Sequence, residues 1–257
     1  MFNFHPKKKF GQNFLKNKDL LKKISELKDF ENKLVLEIGP GTGALTEYLL
    51  KKQPKKLIAI EKDEELKPFL LKIQKKYLEN FEIIFQDALR YEYSKFEGKK
   101  IFLVANLPYH IATTLVIKWL KYIENFESII IMVQREVAER LSAKVSTKFY
   151  GRTSILVQLH SDVKKIFDVS PENFHPKPKV NSSVIELSPK SNLNFNYEKV
   201  DKLLKICFAQ RRKKLKNNLN KINYSNLEKI IESGIDLNLR PQDISIENYV
   251  MMSKLLI

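Results

Sequence analysis

The sequence predicts an α/β fold: a mostly parallel sheet with helices on both faces, a terminal antiparallel hairpin and a small all-α region at the C-terminal end. Three observations predict it. Short apolar runs alternate with segments of helical period as far as residue 142. Two strand-like runs then follow each other with no helical pattern between them, and beyond residue 196 only helical patterns remain. Alternation of this kind is typical of parallel strands joined by covering helices.

The alternating part contains strands that read as short, continuous apolar runs. Such runs predict strands buried on both faces at 33–38, 57–60, 81–85, 101–105 and 128–133. Apolar residues at intervals of three and four predict amphipathic helices at 44–52, 64–77, 111–122 and 135–142. Because parallel strands need crossover connections, we expect the carboxyl ends of these strands to meet at one edge of the sheet.

Two later runs, 162–169 and 180–187, also read as strands, and a proline-rich loop at 171–178 joins them. We expect them to pair as an antiparallel hairpin at the end of the sheet, which is the outline of the Rossmann-like methyltransferases. Beyond a linker rich in Ser, Pro and Asn, helical patterns lie at 197–207, 211–219, 226–233 and 246–256. The sequence thus predicts a catalytic domain at 1–188 and a small helical domain at 189–257.

The chain of 257 residues is long enough to bury a substantial core without disulfides or metals. Its single cysteine, Cys207, excludes an intramolecular disulfide and fits a reducing compartment. No apolar run approaches the roughly 20 residues that span a bilayer, and the basic N-terminus lacks the apolar segment of a signal peptide. We expect a cytoplasmic protein that has no membrane partner.

The formal net charge is +16, from 46 Lys and Arg against 30 Asp and Glu. Such an excess attracts polyanions, and nucleic acid is the usual one. A lysine-rich chain with solvated helix faces is the alternative, and Lys72, Lys75 and Lys76 fit that pattern. Charge alone therefore favours a nucleic-acid partner only modestly.

The first strand runs into a glycine-rich turn that opens the next helix. Gly39 and Gly41 there permit positive φ and let a ligand approach the backbone closely, at the edge where ligands bind such sheets. Glu61 ends the second strand and is placed to accept both hydroxyls of a ribose. Asp87 follows the third strand, where a carboxylate can accept from an adenine amino group. The same glycines with Ala44 also fit a dinucleotide loop, so a nicotinamide-dependent dehydrogenase is the rival interpretation, and a tight turn without a ligand is the simplest one.

The fourth strand ends at a tetrapeptide, Asn106-Leu107-Pro108-Tyr109. An adenine amine is a poor nucleophile because its lone pair is delocalised into the ring. The side-chain oxygen of Asn106 and the carbonyl of Leu107 are two acceptors that would favour a pyramidal nitrogen, and Pro108 helps to fix that carbonyl. Tyr109 would stack on the base and favour the passing positive charge. The alternative is a strand that ends in a proline turn, with the tyrosine in the core.

A base inside a duplex cannot reach such a centre, so the target adenine must be unpaired or flipped out. Phe174, in the loop between the two late strands, is a candidate to stack on its other face; an aromatic side chain packed on the core is the alternative. The four histidines show no ligand spacing, so we expect no metal. No strong base is needed, because the methylated cation loses its proton to water.

These motifs, with others along nearly the whole chain, resemble the bacterial small-subunit (16S) ribosomal RNA adenine dimethyltransferases. The matching segments are 9–15, 36–46, 106–109, 132–138, 150–152, 174–180, 210–213 and 239–241. The resemblance implies S-adenosylmethionine as the methyl donor, in a site lined by Asn13, Leu15, Gly39, Glu61, Asp87 and Asn106. It also implies that two adjacent adenines in a hairpin near the 3′ end of 16S RNA are dimethylated, within the small ribosomal subunit or its precursor. We expect the enzyme to act as a monomer.

Two alternatives to this function stay open. Enzymes that methylate an adenine of 23S RNA and confer macrolide resistance share the glycine loop, a similar tetrapeptide and the segment 174–183. The opening 10–12 and the segments 210–213 and 239–241 favour the small-subunit branch. A non-catalytic ribosome assembly factor with the same fold is the second alternative, and the intact acids and tetrapeptide argue against it.

Two clusters of cations are predicted to contact RNA phosphates, which positions a substrate without reading its sequence. The alternative is a solvated helix face. The arginines are the stronger candidates, because a guanidinium binds phosphate in a bidentate way. The clusters comprise Lys7, Lys8 and Lys9 near the N-terminus, and Arg211, Arg212, Lys213, Lys214 and Lys216 on the predicted helix 211–219.

Overall fold

The structure, a computed structural model, describes residues 5–7, 10–191, 194–220 and 224–255. Within these ranges the chain forms nine strands and ten α-helices. It divides into two compact units. The first unit comprises Met1–Ala138 and Asp162–Pro189, and the second comprises Glu139–Ser161 and Lys190–Ile257.

Most of the predicted strands and helices are present with small shifts at their ends, and the structure adds elements that the sequence analysis did not predict. The strands are β1 (Phe14–Leu15), β2 (Leu34–Ile38), β3 (Lys56–Glu61), β4 (Phe81–Phe85), β5 (Ile101–Asn106), β6 (Phe126–Gln134), β7 (Ser161–Val169), β8 (Phe174–His175) and β9 (Ser182–Pro189). The helices are α1 (Lys18–Ser25), α2 (Ala44–Leu50), α3 (Lys67–Lys76), α4 (Ala112–Leu120), α5 (Arg135–Leu141), α6 (Arg152–His160), α7 (Tyr197–Cys207), α8 (Leu215–Asn218), α9 (Tyr224–Glu232) and α10 (Ile246–Leu255).

Seven strands form the main sheet in the order β4-β3-β2-β5-β6-β9-β7. The first five of these pair in parallel, and β9 pairs antiparallel with β6, with Gln134 opposite Ser182. The predicted Rossmann-like sheet is therefore confirmed. The late strands β7 and β9 are neighbours, as predicted, and their connection contains β8, which pairs antiparallel with β1.

The central strands explain why their sequences read as unbroken apolar runs. Leu36 on β2, Leu103 on β5 and Ile131 on β6 have no exposed surface, since helices cover both faces of the sheet. On α4, Leu115 and Trp119 are equally buried. Burial on both faces makes the strand ends the main places where polar groups of the sheet become accessible, and the site lies there.

Helices were predicted less well than strands. The sequence analysis did not predict α1, whose first turn is capped by the Asn17 side chain, or α6. The predicted helix 211–219 is wrong over its first half, because only α8 is helical. There the side chain of Asn218 accepts from the backbone N–H of Gln210 at 2.9 Å and closes a turn that precedes the helix.

The second unit contains a segment from the middle of the chain. Residues 139–161 group with the C-terminal helices, whereas the sequence analysis placed them in the domain 1–188. The hydroxyl of Tyr150 donates to the carbonyl of Ile244 at 3.1 Å, and Arg152 on α6 pairs with Asp201 on α7. These partners lie far apart in the sequence, so a division into consecutive stretches misses the grouping.

Candidate active site

A cavity of about 210 Å³ opens in the first unit, beyond the carboxyl ends of β2, β3, β4 and β5. Strand-to-helix turns converge at this edge of a parallel sheet, which is where such folds bind ligands. Residues predicted from separate motifs meet in the wall of the cavity: Asn13, Gly39, Gly41, Glu61, Asp87, Asn106, Leu107 and Tyr109. The glycine turn, the two acids and the tetrapeptide therefore belong to one site.

The glycine turn presents backbone to the cavity. Gly39 has a φ of +68° and Gly41 a φ of +62°, which residues with side chains rarely adopt. A Cβ atom on Gly41 would lie 2.7 Å from Cε1 of Phe14, closer than carbon atoms approach in proteins. Position 41 thus requires glycine both for its conformation and for the close approach of the N-terminal segment.

The Glu61 carboxylate is buried and accepts from three backbone N–H groups. Its Oε2 accepts from Gly41 at 3.1 Å, and its Oε1 accepts from Lys62 and Asp63, each at 2.8 Å. Burial raises the pKa of this carboxyl, although the three N–H groups oppose the rise. Glu61 therefore ties the glycine turn to the end of β3 and lines the cavity as an acceptor.

Asp87 lies in the wall of the cavity, in the connection that follows β4. Its Oδ1 accepts from the N–H of Leu89 at 2.9 Å, and its Oδ2 pairs with the Lys62 ammonium at 2.8 Å. Desolvation alone would raise the pKa of Asp87. The hydrogen bonds from Lys62 and Leu89 and the nearby positive charges outweigh it and hold that pKa below its ordinary value. The carboxylate is thus ionised and is an acceptor in the lining of the cavity.

Glu37, on β2 just before the glycine turn, is an acid that the sequence analysis did not single out. It is buried, and its Oε2 accepts from the hydroxyl of Thr46 on α2 at 2.6 Å. Burial raises the pKa of Glu37 to about 8, so the carboxyl is largely protonated at neutral pH. An acid inside an apolar run, two positions before the glycine turn, was the signal that could have identified it.

The tetrapeptide is fixed at several points. The side-chain amide of Asn106 donates to the backbone carbonyl of Asn13 at 3.0 Å, and no described residue donates to its Oδ1. The N–H of Leu107 donates to the carbonyl of Met132 on β6 at 3.1 Å. Tyr109 is half-buried, which raises the pKa of its hydroxyl. The arrangement leaves the Asn106 oxygen available to accept a hydrogen bond from a ligand amine.

The N-terminal segment is fastened over the same cavity. The Lys7 ammonium pairs with Asp63 at 2.7 Å and with Glu65 at 2.9 Å. The side chain of Gln12 donates to the other oxygen of Asp63 at 2.8 Å and accepts from the N–H of Lys7. Lys7 is paired with two acids of its own chain, and its contact with RNA phosphate stays a prediction. Lys8 and Lys9 lie outside the described residues.

Two predicted site residues do not line the cavity. Leu15 and Phe174 are paired across β1 and β8, and both lie in the hydrophobic core with exposures of 6% and 2%. The ring of Phe174 is packed on the core in this structure, and stacking on a base would require it to leave that position, so the stacking role stays a prediction. The short pairing of β1 with β8 is a tertiary contact that no local pattern shows.

The cations of the second unit differ in exposure. Arg211 is half-buried and donates to the backbone carbonyls of Thr147 and Lys148, so part of its guanidinium is used inside the protein. The remaining members of the cluster, Arg212, Lys213, Lys214 and Lys216, are exposed. Their contact with RNA stays a prediction, with Arg211 as a weaker candidate than the sequence suggested.

Comparison with known proteins shows which family the chain resembles. A family model described as ribosomal RNA adenine dimethylase matches residues 3–257. The chain is 43% identical over 252 residues to the ribosomal RNA small subunit methyltransferase A of Ehrlichia ruminantium, with 96% of each chain covered. It is 41% identical over 255 residues to the protein of that name from Pelagibacter ubique, with 96% of this chain and 95% of the relative covered.

Solved structures give the same picture. A dimethyladenosine transferase from Plasmodium falciparum superposes with a TM-score of 0.82 at 29% identity, covering 93% of this chain and 95% of that one. The 23S rRNA methyltransferase ErmE has the same fold, with a TM-score of 0.72 at 21% identity over 95% of this chain and 99% of that one. None of the helices within the described ranges is long and apolar enough to cross a membrane. Given the full-length family match, the chain belongs to the ribosomal RNA adenine dimethylase family.

Proposed function

We propose that this protein uses S-adenosylmethionine to dimethylate the exocyclic amines of two adjacent adenines in a hairpin near the 3′ end of 16S ribosomal RNA, during assembly of the small subunit. The observation that carries the proposal is the placement of Asn106. Its carboxamide is fixed by Asn13 at the wall of a cavity that also holds the carboxylates of Glu61 and Asp87.

The cavity residues fit the methyl donor. Glu61 is an acceptor for ribose hydroxyls, and Asp87 is an acceptor for the adenine amino group. The positive φ of Gly39 leaves that residue's backbone open to the ligand, and a Cβ placed there would project into space whose nearest atom is 3.9 Å away. S-adenosylmethionine, when bound, supplies a methyl group on a positively charged sulfur.

The tetrapeptide acts on the accepting nitrogen. The Asn106 oxygen and the Leu107 carbonyl accept from the two hydrogens of the amine, which favours a pyramidal nitrogen with its lone pair directed at the methyl group. Tyr109 stacks on the base and stabilises the positive charge that passes to it. Water then takes the proton from the methylated nitrogen, so no side-chain base is assigned.

The small-subunit branch is favoured over the large-subunit branch. Relatives at 41–43% identity over nearly the whole chain carry small-subunit names, whereas the 23S enzyme ErmE shares 21%. We extend the proposal to a monomer that binds the small subunit or its precursor through the exposed cations of the second unit. We also extend the proposal to a cytoplasmic location, which a ribosomal substrate supports.

Labelling of separated subunits tests the proposal. Small and large ribosomal subunits that lack the modification are incubated with the protein and methyl-labelled S-adenosylmethionine, and the labelled nucleotides are identified by mass spectrometry. We expect dimethyladenine at two adjacent positions in 16S RNA only. Label confined to 23S RNA would overturn the branch, and binding of subunits without any transfer would favour the non-catalytic alternative.

The Asn106→Ala variant tests the chemistry. We expect it to abolish methyl transfer while its affinity for S-adenosylhomocysteine falls by no more than about tenfold, since one neutral hydrogen bond is lost. Asn217→Ala, at an exposed position of the second unit, is the matched control. Full activity of Asn106→Ala would remove the nitrogen-orienting role.

A further inference from the structure

The connection that carries Asp87 is held by a lysine on a different element. Lys118, on α4, donates to the carbonyl oxygen of Leu89 at 2.6 Å and to that of Tyr91 at 2.8 Å. Its ammonium also lies 5.2 Å from the centroid of the Tyr93 ring. One side chain thus engages two backbone acceptors within four residues of Asp87.

The connection depends on these contacts for its shape. The main-chain carbonyl of Asp87 accepts from the N–H groups of Arg90 and Tyr91 at 2.8 and 3.0 Å, which makes a tight turn. The hydroxyl of the buried Tyr93 donates to the carbonyl of Ala88 at 3.1 Å. The carbonyls of Leu89 and Tyr91, by contrast, have Lys118 as their side-chain donor.

The chemistry of position 118 calls for a donor. Burial lowers the pKa of Lys118, and the charges of Asp87 and Glu92 oppose that shift, so holding the ammonium here has an energetic cost. A Met of similar length would pack on Tyr93 as well but would leave two carbonyls without their donor, which is destabilising where water is excluded. The lysine is therefore explained by the carbonyls that it binds.

We propose that Lys118 is a positioning residue that holds the Asp87 carboxylate where it accepts from the amino group of the donor's adenine, and so sets the preference for adenine over a base with a carbonyl at that position. The inference rests on the proposed role of Asp87. Lys118 lies on the helix that follows the tetrapeptide, so it connects the part of the site that handles the target base to the part that recognises the donor.

The test compares two ligands that differ only in the base. S-adenosylhomocysteine carries the amino group, and S-inosylhomocysteine carries a carbonyl that repels a carboxylate. Calorimetric titration of the full chain gives the ratio of the two dissociation constants. We expect the wild type to favour adenine by about tenfold or more, as for a hydrogen bond to a charged group. Lys118→Met should reduce the ratio by about five- to tenfold, mainly through weaker binding of the adenine ligand.

The matched control is Lys121→Met, an exposed lysine at the end of the same helix, which should leave the ratio unchanged. A general loss of stability would weaken both ligands equally and would not move the ratio. If Lys118→Met does not fold, Lys118→Gln, whose amide can serve only part of the pair, should give an intermediate ratio.

The Asp87→Asn variant tests the proposed role of Asp87 separately from the positioning role of Lys118. An asparagine can donate to the inosine carbonyl, so this variant should abolish or invert the preference. If Asp87→Asn changes the ratio and both Lys118 variants keep the wild-type ratio, the positioning role is overturned. If Asp87→Asn also keeps it, the assignment of Asp87 to the adenine is wrong.

Discussion

The hydroxyl of Tyr109 lies 2.7 Å from the hydroxyl of Ser182, 73 positions further along the chain. Ser182 is fully buried on β9, opposite Gln134 of β6. The same strand β6 accepts the N–H of Leu107 through Met132. The backbone and the ring of the tetrapeptide are therefore both fixed to one antiparallel pair of strands, which limits how far the ring can turn.

Loss of the Ser182 hydroxyl should slow methyl transfer only when the Tyr109 hydroxyl is present. We expect Ser182→Ala and Tyr109→Phe each to lower kcat by about three- to tenfold, the effect of one hydrogen bond. In the double variant the loss should equal that of either single variant, because both remove the same contact. Single-turnover rates with 16S RNA provide the measurement. Losses that multiply would show that Ser182 acts independently of Tyr109.

Gly41→Ala should damage both donor binding and stability. The alanine would be held at a φ of +62°, which costs about 1–2 kcal/mol, and its Cβ would collide with Phe14. We expect at least a tenfold loss of affinity for S-adenosylhomocysteine. Gly98→Ala is the control, since it has a φ of +72° and nothing within 4 Å of the added carbon. Equal loss of ligand affinity in both variants would show that backbone strain alone is responsible.

Glu37 should make stability depend on pH. Its pKa is about 8 in the folded protein and about 4.3 when exposed, so the folded state retains a proton that the unfolded state releases. The contribution of Glu37 to the free energy of unfolding is therefore most favourable below the pKa of the exposed group and decreases as the pH rises towards 8. Glu37→Gln, which cannot ionise, should show a smaller fall in Tm between pH 5 and 8. Glu47→Gln, at an exposed position on α2, should follow the wild type. Identical pH profiles for Glu37→Gln and wild type would contradict the protonated state.

The Lys7→Gln variant tests whether Lys7 holds the N-terminal segment in place or contacts RNA. Loss of the pairing with Asp63 and Glu65 should loosen the segment that covers the cavity and raise the dissociation rate of S-adenosylhomocysteine. We expect the salt dependence of RNA affinity to be unchanged, because the Lys7 ammonium is already paired with two carboxylates. Stopped-flow dissociation and RNA titrations over a range of salt provide the two measurements. A shallower salt slope with an unaltered dissociation rate would support the phosphate contact.

The exposed cations of the second unit should set the salt dependence of RNA binding. Each phosphate contact changes the slope of log affinity against log salt by about −0.7 to −0.9. Replacing Arg212, Lys213 and Lys214 by Gln should therefore make the slope shallower by about 2 to 3. Replacing Lys72, Lys75 and Lys76 removes equal charge from α3 and should have a much smaller effect. The same change in both triple variants would indicate attraction by net charge alone.

The parts of the site that follow strands were predictable from sequence. Gly39, Glu61, Asp87 and Asn106 each stand where an apolar run ends, and parallel strands bring their carboxyl ends to one edge. Local sequence pattern and general topology were enough to predict that these residues share one site. Glu37 escaped because its importance depends on burial, which makes an ordinary acid into a protonated one.

The surroundings that the sequence did not show depend on distant partners. Lys7 looks like a solvent-exposed cation until Asp63 and Glu65 are brought beside it. Phe174 looks like a loop aromatic until β8 pairs with β1. Arg211 looks fully exposed until the backbone of Thr147 accepts from it. In each case the deciding contact spans many residues, so no window of local sequence contains it.

The grouping of residues 139–161 with the C-terminal helices bears on how the protein is made. Tyr150 and Arg152 are translated before Ile244 and Asp201. The segment 139–161 therefore emerges from the ribosome before its partners. The second unit can reach the packing seen here only when α10 has been translated. A chain interrupted before Asp201 would leave Tyr150 and Arg152 without these two partners, and the middle segment would stay unpaired until the later helices are made.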